Sequence, residues 1–564
     1  MATLLDDHWT YVLNENPVLA TSLGVRRLDG RLGDQSVAAM DRQRASLEAL
    51  IRRAEAIDPA RLSAAERVNR AILIRDMKTE HDGLAFGQRL MLFTTYSAWH
   101  TQFAGLPDAV PFFTRADYDS YLGRLAEYPR LNAEGIATTR AALSGGFVQP
   151  CAAMVGFEKT IEAHIVDDVD QSVFMRPFGR RPDSIDDAAW ADLKKRALSL
   201  VRDKVIPAYR DFLAFYTGEY APRCRQSVGA SALPQGADYY RYRARAMTTT
   251  ELTPDQIHRI GLDEVARIQK EMDKVAFAAG FAGRQTYARY LREEPRFYAR
   301  SPDELLLHAG ALAKRIDGEL PRLFGRLPRL PYTVKPIPAD QAEGTTTAYY
   351  EPGAGSAGRA GVYRVNTSHL DQRPLYELPS LTVHEAVPGH HLQIALQQEL
   401  NLPDFRKYTS FFTAFVEGWA LYAETLGHDM GLYDKPETQF GRLSYEMWRA
   451  CRLVVDTGLH AKGWTKQQAI DFMTANTALS PHNIEAEVNR YITWPGQALA
   501  YKIGELRIRA LKARAQAALG PAFDLRAFHD AVLENGAVPL DVLEAHIDGW
   551  IAGRKQRHQQ EAGS

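Results

Sequence analysis

Along most of the chain, apolar residues return every three or four positions, the period that turns one face of an α-helix toward a core. Residues 41–56, DRQRASLEALIRRAEA, place Leu47, Leu50 and Ile51 at that spacing among charged neighbours. The same period recurs over 59–83, 187–216, 254–277 and 301–324. Two of these segments begin with capping signals: Thr253 precedes Pro254 and Asp255, and Ser301 precedes Pro302 and two acids. A cap hydroxyl accepts an otherwise unpaired backbone N–H, and proline at the first helical position gives up no hydrogen bond. No fixed-length repeat is present, which excludes a solenoid.

The helical period lapses over 325–379, a stretch rich in Pro, Gly and Thr. Within it TTTAYYE and GVYRVNT, both β-branched and aromatic, predict two short strands around a Gly-rich turn. The expected fold is therefore mainly α, with a helical lobe over 1–324, a small β insert over 325–379 and a second helical lobe over 380–564. The lobes are read as two sides of one deep cleft. The last residues, RKQRHQQEAGS, are expected to fray.

Composition narrows the function. Lys and Arg total 68 against 69 Asp and Glu, a net charge of −1, which argues against a nucleic-acid binder. With 45% hydrophobic and 24% charged residues the chain is an ordinary globular one. Cys151, Cys224 and Cys451 lie far apart without CxxC spacing, so neither a disulfide framework nor a cysteine-bound metal is expected. No signal peptide is visible and no apolar run is long enough to span a membrane. The expected location is the cytoplasm, with no membrane partner.

One segment carries chemistry: LTVHEAVPGHHLQ, residues 381–393. Zinc hydrolases hold the ion with neutral imidazoles and use a carboxylate to take a proton from water. Their usual device is HExxH, one helical turn with both imidazoles on one face. Here position 388 is proline, and the second histidine arrives two residues late. Six residues of unbroken helix rise about 9 Å, too far for two imidazoles on one ion. Pro388 and Gly389 can break the helix and return His390 beside His384. The plain alternative is a chance cluster on a surface helix. A second helix, within DFRKYTSFFTAFVEGWALYAETLG, is apolar nearly all round, so an ionised Glu417 there must be paired or metal-bound. Glu424 follows seven residues later on the same face, where a buried salt bridge is the plain reading.

HEAVPGHHLQ followed by FVEGWALYAE resembles the DUF885 family of bacterial proteins, related to the gluzincin metallopeptidases. NPVLATSLG, GADYYRYRARAMTTTELTPDQIHRIGLDEV and RYITWPGQALAYKIGELR extend the resemblance along most of the chain. It implies a multi-helical gluzincin-like fold, one Zn²⁺ on His384, His390 and Glu417, and Glu385 as general base. His391 is the fallback ligand or a substrate group.

Further site candidates follow from what hydrolysis needs. The strand GVYRVNTS could lie at a sheet edge and pair with an extended peptide, with Asn366 near the substrate; a plain hairpin on the helices is the other reading. A tetrahedral oxyanion needs a donor, for which Tyr501 is preferred and Tyr491 is the alternative. Arg490 or Lys502 could hold a substrate carboxylate. Arg449, Arg452 and Asp456 share a helix face and read as a salt-bridge ladder, with His460 near that helix's end. The expected activity is zinc-dependent cleavage of short peptides, carboxypeptidase- or dipeptidase-like. A non-peptide amide or ester hydrolase, or a binding scaffold with a structural metal, are the alternatives.

Overall fold

The periodic segments fold as helices, and the predicted caps are in place. α1 (Val37–Glu55) is followed by α2 (Ala64–Gly83), on which Ser63 and Glu66 cap each other's backbone N–H groups. Downstream, Thr253 accepts from Gln256 N at the start of α5 (Pro254–Ala278), and Ser301 accepts from Glu304 N at the start of α6 (Pro302–Leu323). These belong to a computed structural model that describes residues 1–95, 97–338, 342, 346–355 and 358–562. Thr345 of the predicted strand and part of the Gly-rich turn lie outside the described residues. The fold is mainly α with a small sheet, as the periodicity requires.

The chain divides into two compact units, residues 1–239 with 492–494, and residues 240–491 with 495–564. The division falls at 239/240 rather than near 324, where the sequence reading ended its first lobe. Packing explains the difference. Leu305 and Ala309 of α6 share one core with Ala348 and Tyr363 of the sheet and Leu378 and Leu381 of the motif helix.

In the first unit, the core is built on aromatic rings around α3 (Arg115–Ser144) and α4 (Ile206–Phe215). Asn132 of α3 accepts from the buried Trp99 Nε1 at 3.0 Å and donates to Ala208 O at 2.8 Å, tying the two helices to one indole. The same unit corrects the cysteine expectation: Cys151 and Cys224 form a disulfide, and only Cys451 is free and buried. Their separation of 73 residues conceals a parallel bridge between Pro150 and Arg225, in which Cys151 N donates to Arg225 O at 2.9 Å.

The second unit holds the sheet and the motif. β1 (Tyr332–Pro336) runs parallel to β3 (Gly361–Val365), and β2 (Ala348–Glu351) runs antiparallel to β3 on its other side. β3 is thus the central strand, not an edge, and cannot receive a peptide strand. The prolines around YTVK disguised β1, but an edge strand tolerates them. At the C-terminus, the helix continues from Leu540 to Ala562 where fraying was expected. Among the described residues, no helix is long and apolar enough to cross a membrane.

The disulfide gives a direct test. Under denaturing, non-reducing conditions a thiol assay should count one cysteine per chain rather than three. In the chain-entropy account a loop of this length is worth about 4 kcal/mol. A Cys151→Ser, Cys224→Ser variant should therefore lose several kcal/mol at most, read as a lower denaturant midpoint.

Candidate metal centre

The motif does not form one helix. α7 (Leu378–Glu385) stops at Ala386, with φ −97° and ψ −109°, and α8 (His390–Glu399) starts after Gly389, with φ −74° and ψ −127°. The Val387–Pro388 peptide bond between them is cis. The loop folds back on the end of α7: Gly389 N donates to Val383 O at 2.9 Å and His391 N to Ala386 O at 3.0 Å. Trp419 Nε1 fastens it from outside by donating to Pro388 O at 2.8 Å. A Cβ on Gly389 would stand 2.0 Å from His384 O and 2.3 Å from Val383 O, so the fold-back requires glycine. Its result is that the His384 and His390 rings lie 4.8 Å apart, nearly perpendicular.

Glu417 comes to the same point from α9 (Thr413–Thr425). Its Oε2 is 3.5 Å from His384 Nε2 and 3.4 Å from His390 Nε2. Donors bound at about 2.05 Å in a tetrahedron stand about 3.3 Å apart, close to both distances. The three ligating atoms lie within 4.8 Å of one another, and among the described residues no fourth His, Cys, Asp or Glu joins the group. Buried Glu417 Oε2 accepts no hydrogen bond, the state of an oxygen aimed at a cation. The donor set therefore fits a divalent metal with three protein ligands and an open position.

Buried charge around the triad fixes its orientation. Glu424, two turns after Glu417 on α9, accepts from His384 Nδ1 at 2.8 Å and so leaves Nε2 as the metal-facing nitrogen. Arg449 of α10 (Pro436–Ala461) stands 3.7 Å from the same Glu424 oxygen, its guanidinium stacked on Tyr445 and Trp448. Burial opposes charge on His384, yet the carboxylates of Glu417 and Glu424, which face its two ring nitrogens, raise its pKa to about 9. Burial likewise opposes charge on Glu417, but His390 and His384 hold its carboxyl well below the usual carboxylate range. The cluster is built to hold positive charge between its donors.

Glu385 follows His384 and is buried, and among the described residues no group is paired with its carboxylate. Tyr501 lies on the first turn of α12 (Ala500–Leu519). That helix crosses α9 backbone to backbone: a Cβ on Gly504 would meet Ala414 O at 1.8 Å, and one on Gly418 would meet Gly504 Cα at 2.5 Å. The crossing packs Gly504, three residues after Tyr501, on Gly418, the residue after Glu417. The Tyr501 oxygen accepts from Arg490 at 3.2 Å and Gln497 at 3.3 Å, which leaves its O–H to donate. Tyr491 has no such freedom. It donates to Glu487 at 2.7 Å and accepts from Arg452 and Trp448, so it is not an oxyanion donor.

Several other sequence candidates serve the fold instead. His391 is held at both nitrogens, by Tyr350 O–H at 2.9 Å and Leu330 O at 3.0 Å, and burial lowers its pKa to about 4; it is neither ligand nor substrate group. Asn366 is fully buried, donating to Ala342 O and accepting from Ser368, and pins a loop rather than a substrate. Lys502 is also fully buried, within 3.0 Å of Glu264, Glu446 and Glu505, and cannot hold a substrate carboxylate. The Arg490 guanidinium is engaged with Gln497, Tyr501 and Glu487 on α11 (Pro481–Thr493). The expected ladder on α10 does not form. Arg449 turns to Glu424, Arg452 to Glu487, and Asp456 accepts from Tyr240, while His460 meets Tyr491 O. Arg449 and Trp419 are the site residues whose roles sequence reasoning missed, since nothing local in sequence marks a partner 25 or 31 residues away.

A family model described as "Bacterial protein of unknown function (DUF885)" matches residues 17–547. Among solved structures, a "putative lipoprotein" from Colwellia psychrerythraea superposes with a TM-score of 0.90 at 29% identity, over 98% of each chain. A "putative lipoprotein of unknown function" from Shewanella oneidensis gives a TM-score of 0.70 at 19% identity, over 96% of this chain and 98% of that one, a likeness of fold alone. No curated protein matches the sequence. The cytoplasmic expectation does not stand against two like-folded proteins described as lipoproteins, and the Cys151–Cys224 disulfide is foreign to a reducing compartment.

The ligand geometry is tested by Zn²⁺ titration against a competing chelator. His390→Ala should abolish tight binding, whereas His391→Ala should keep it. Glu424→Gln, which frees the His384 ring, should weaken affinity roughly 10–100-fold with helix content unchanged.

Proposed function

The chain belongs to the DUF885 family of bacterial proteins, and on that premise we propose that it is a gluzincin-like, zinc-dependent hydrolase of amide bonds in short peptides. The observation that carries the reading is the pairing of a three-donor group, His384, His390 and Glu417, with the adjacent unpaired carboxylate of Glu385. A purely structural metal needs no free carboxylate beside it and is closed by a fourth protein ligand. His391, the nearest spare imidazole, is committed elsewhere.

Zinc, when bound, supplies Lewis acidity that lowers the pKa of water and polarises a carbonyl. Glu385 takes the proton from that water and passes it to the leaving amine. Glu424 and Arg449 hold the His384 ring in place throughout. The Tyr501 O–H donates to the carbonyl oxygen as negative charge builds there, helped by Arg490 and Gln497, which already fill its acceptor positions. An oxidising compartment outside the cytoplasm agrees with the disulfide.

Metal analysis of protein purified without chelator should find about one zinc per chain. Digestion of a peptide library should then require that metal. Glu385→Gln should retain zinc and lose roughly 10²–10⁴-fold in turnover. Tyr501→Phe should lose roughly 10²–10³-fold in kcat with little change in KM. Wild-type turnover in Glu385→Gln, or metal-independent cleavage, would refute the reading.

A further inference from the structure

The second unit contains a large cavity that none of these roles uses. It lies among α5, α10, α12 and the end of α9, and has a volume of about 610 Å³. Small-molecule sites typically span about 300–1,000 Å³. Among the described residues, no metal donor lines it, and neither does Glu385 or Tyr501. Its wall on α9 is Tyr422, five residues after Glu417 and therefore about 140° round the helix from it. The rim residues His428, Ala510, Ala513 and Gln516 are exposed, so the cavity opens to solvent.

The buried side of the cavity is a network of ion pairs. Glu446 accepts from Arg267, from Arg442 at 2.9 Å and from Lys502 at 2.8 Å. Arg267 also pairs with Glu264 and Glu271, and Lys502 with Glu264 and Glu505. Arg442 stands 3.9 Å from Glu271, and Arg509 reaches Glu505 through Nη1 at 3.1 Å. Each of these glutamates is thus shared between at least two cations, and none has charge to spare.

Lys512 is the cation of the cavity that this network leaves out. Among the described residues its ammonium makes no hydrogen bond and no ion pair, and its contact is the Tyr422 ring, 5.6 Å away at the centroid. Burial and the charge of Arg509 hold its pKa below the ordinary lysine value; Asp429, which forms no ion pair with it, opposes them. Arg509 lies three residues before Lys512, on the same face of α12. Its Nε and Nη2 have no acceptor among the described residues, because both of its glutamates are met by Nη1. The face therefore presents the free edge of a guanidinium fork beside an uncompensated ammonium. A carboxylate has two oxygens and is saturated by the fork alone. A phosphate monoester carries a charge of about −1.5 to −2 at pH 7 and three acceptor oxygens, enough for both side chains. His428 at the rim is neutral at that pH, since burial and Arg442 lower its pKa, and it supplies a further N–H.

We propose that this cavity is a phosphate-binding site, in which Arg509 and Lys512 hold the anion and the remaining volume receives whatever the phosphate is attached to. The site is separate from the metal group and does not depend on the hydrolase reading.

The test is calorimetric titration of the full chain with inorganic phosphate, glucose 6-phosphate and AMP, and with glucose and adenosine, at about 0.15 M chloride. Inorganic phosphate should bind saturably at a single site, and each ester roughly 10–100-fold more tightly than its neutral parent. An ester that outbinds inorganic phosphate identifies a larger phosphorylated ligand; the reverse order identifies the free anion. Lys512→Met and Arg509→Met should each weaken phosphate binding roughly 10–100-fold with helix content unchanged, and Lys512→Arg should restore most of it. His390→Ala, which removes a metal donor, should leave it unchanged, and so separates this site from phosphate held by a metal. If Arg509→Met loses helix content with its Glu505 pair, the Lys512 variants decide alone. Absence of saturable binding, affinity unchanged in Lys512→Met, or affinity lost in His390→Ala overturns the proposal.

Discussion

Everything at the centre depends on the fold-back of residues 386–389. Without it, His384 and His390 would sit about 9 Å apart along a helix and could not share an ion. With it, α8 begins beside the end of α7 and the two rings meet. The turn is held by three independent contacts: Gly389 against the carbonyls of α7, His391 N on Ala386 O, and the Trp419 indole on Pro388 O. The last of these matters most for the site, because Trp419 lies two residues from Glu417 on α9. One helix therefore both fastens the break and supplies the third donor, so the two histidines and the glutamate cannot shift independently.

The second requirement is to keep buried acids ionised. An isolated carboxylate in such surroundings would take up a proton. Glu417 avoids this through two imidazoles. Glu424 accepts from His384 and stands beside Arg449, which fixes its place. Arg449 in turn lies between aromatic rings, where its charge is stabilised without drawing it away from Glu424. The same logic repeats farther along α10 and α12, where Lys502 meets three glutamates and Arg452 meets Glu487 and Tyr491. Buried ion pairs seldom add much stability, but removal of one partner is strongly destabilising. The charges of α10 are therefore better understood as holding the helices in register than as a surface for ligands.

The sequence made the helices, their caps, two of the three strands of the insert (β2 and β3) and the broken motif legible, because each depends on near neighbours. Periodicity marks a buried face, Ser301 and Thr253 mark a start, and Pro388-Gly389 marks a stop. What it concealed depends on distant partners. Nothing around Cys151 announces Cys224, and nothing around YTVK says that it pairs beside GVYRV. His390 and His391 look equivalent in sequence, and only the placement of Tyr350 and Leu330 commits His391 to the sheet. Tyr491 and Tyr501 likewise differ only in whether the phenolic proton is already donated.

The commitment of each cation also decides where negative charge can be received. A positive residue is available to a ligand only if the fold has not already neutralised it. By that measure the residues most conspicuous in sequence, Arg490 and Lys502 beside Pro495-Gly496, are the least available, since both are engaged with glutamates. Lys512 is inconspicuous, one of several basic residues along α12, yet among the described residues it has only the Tyr422 ring for a partner.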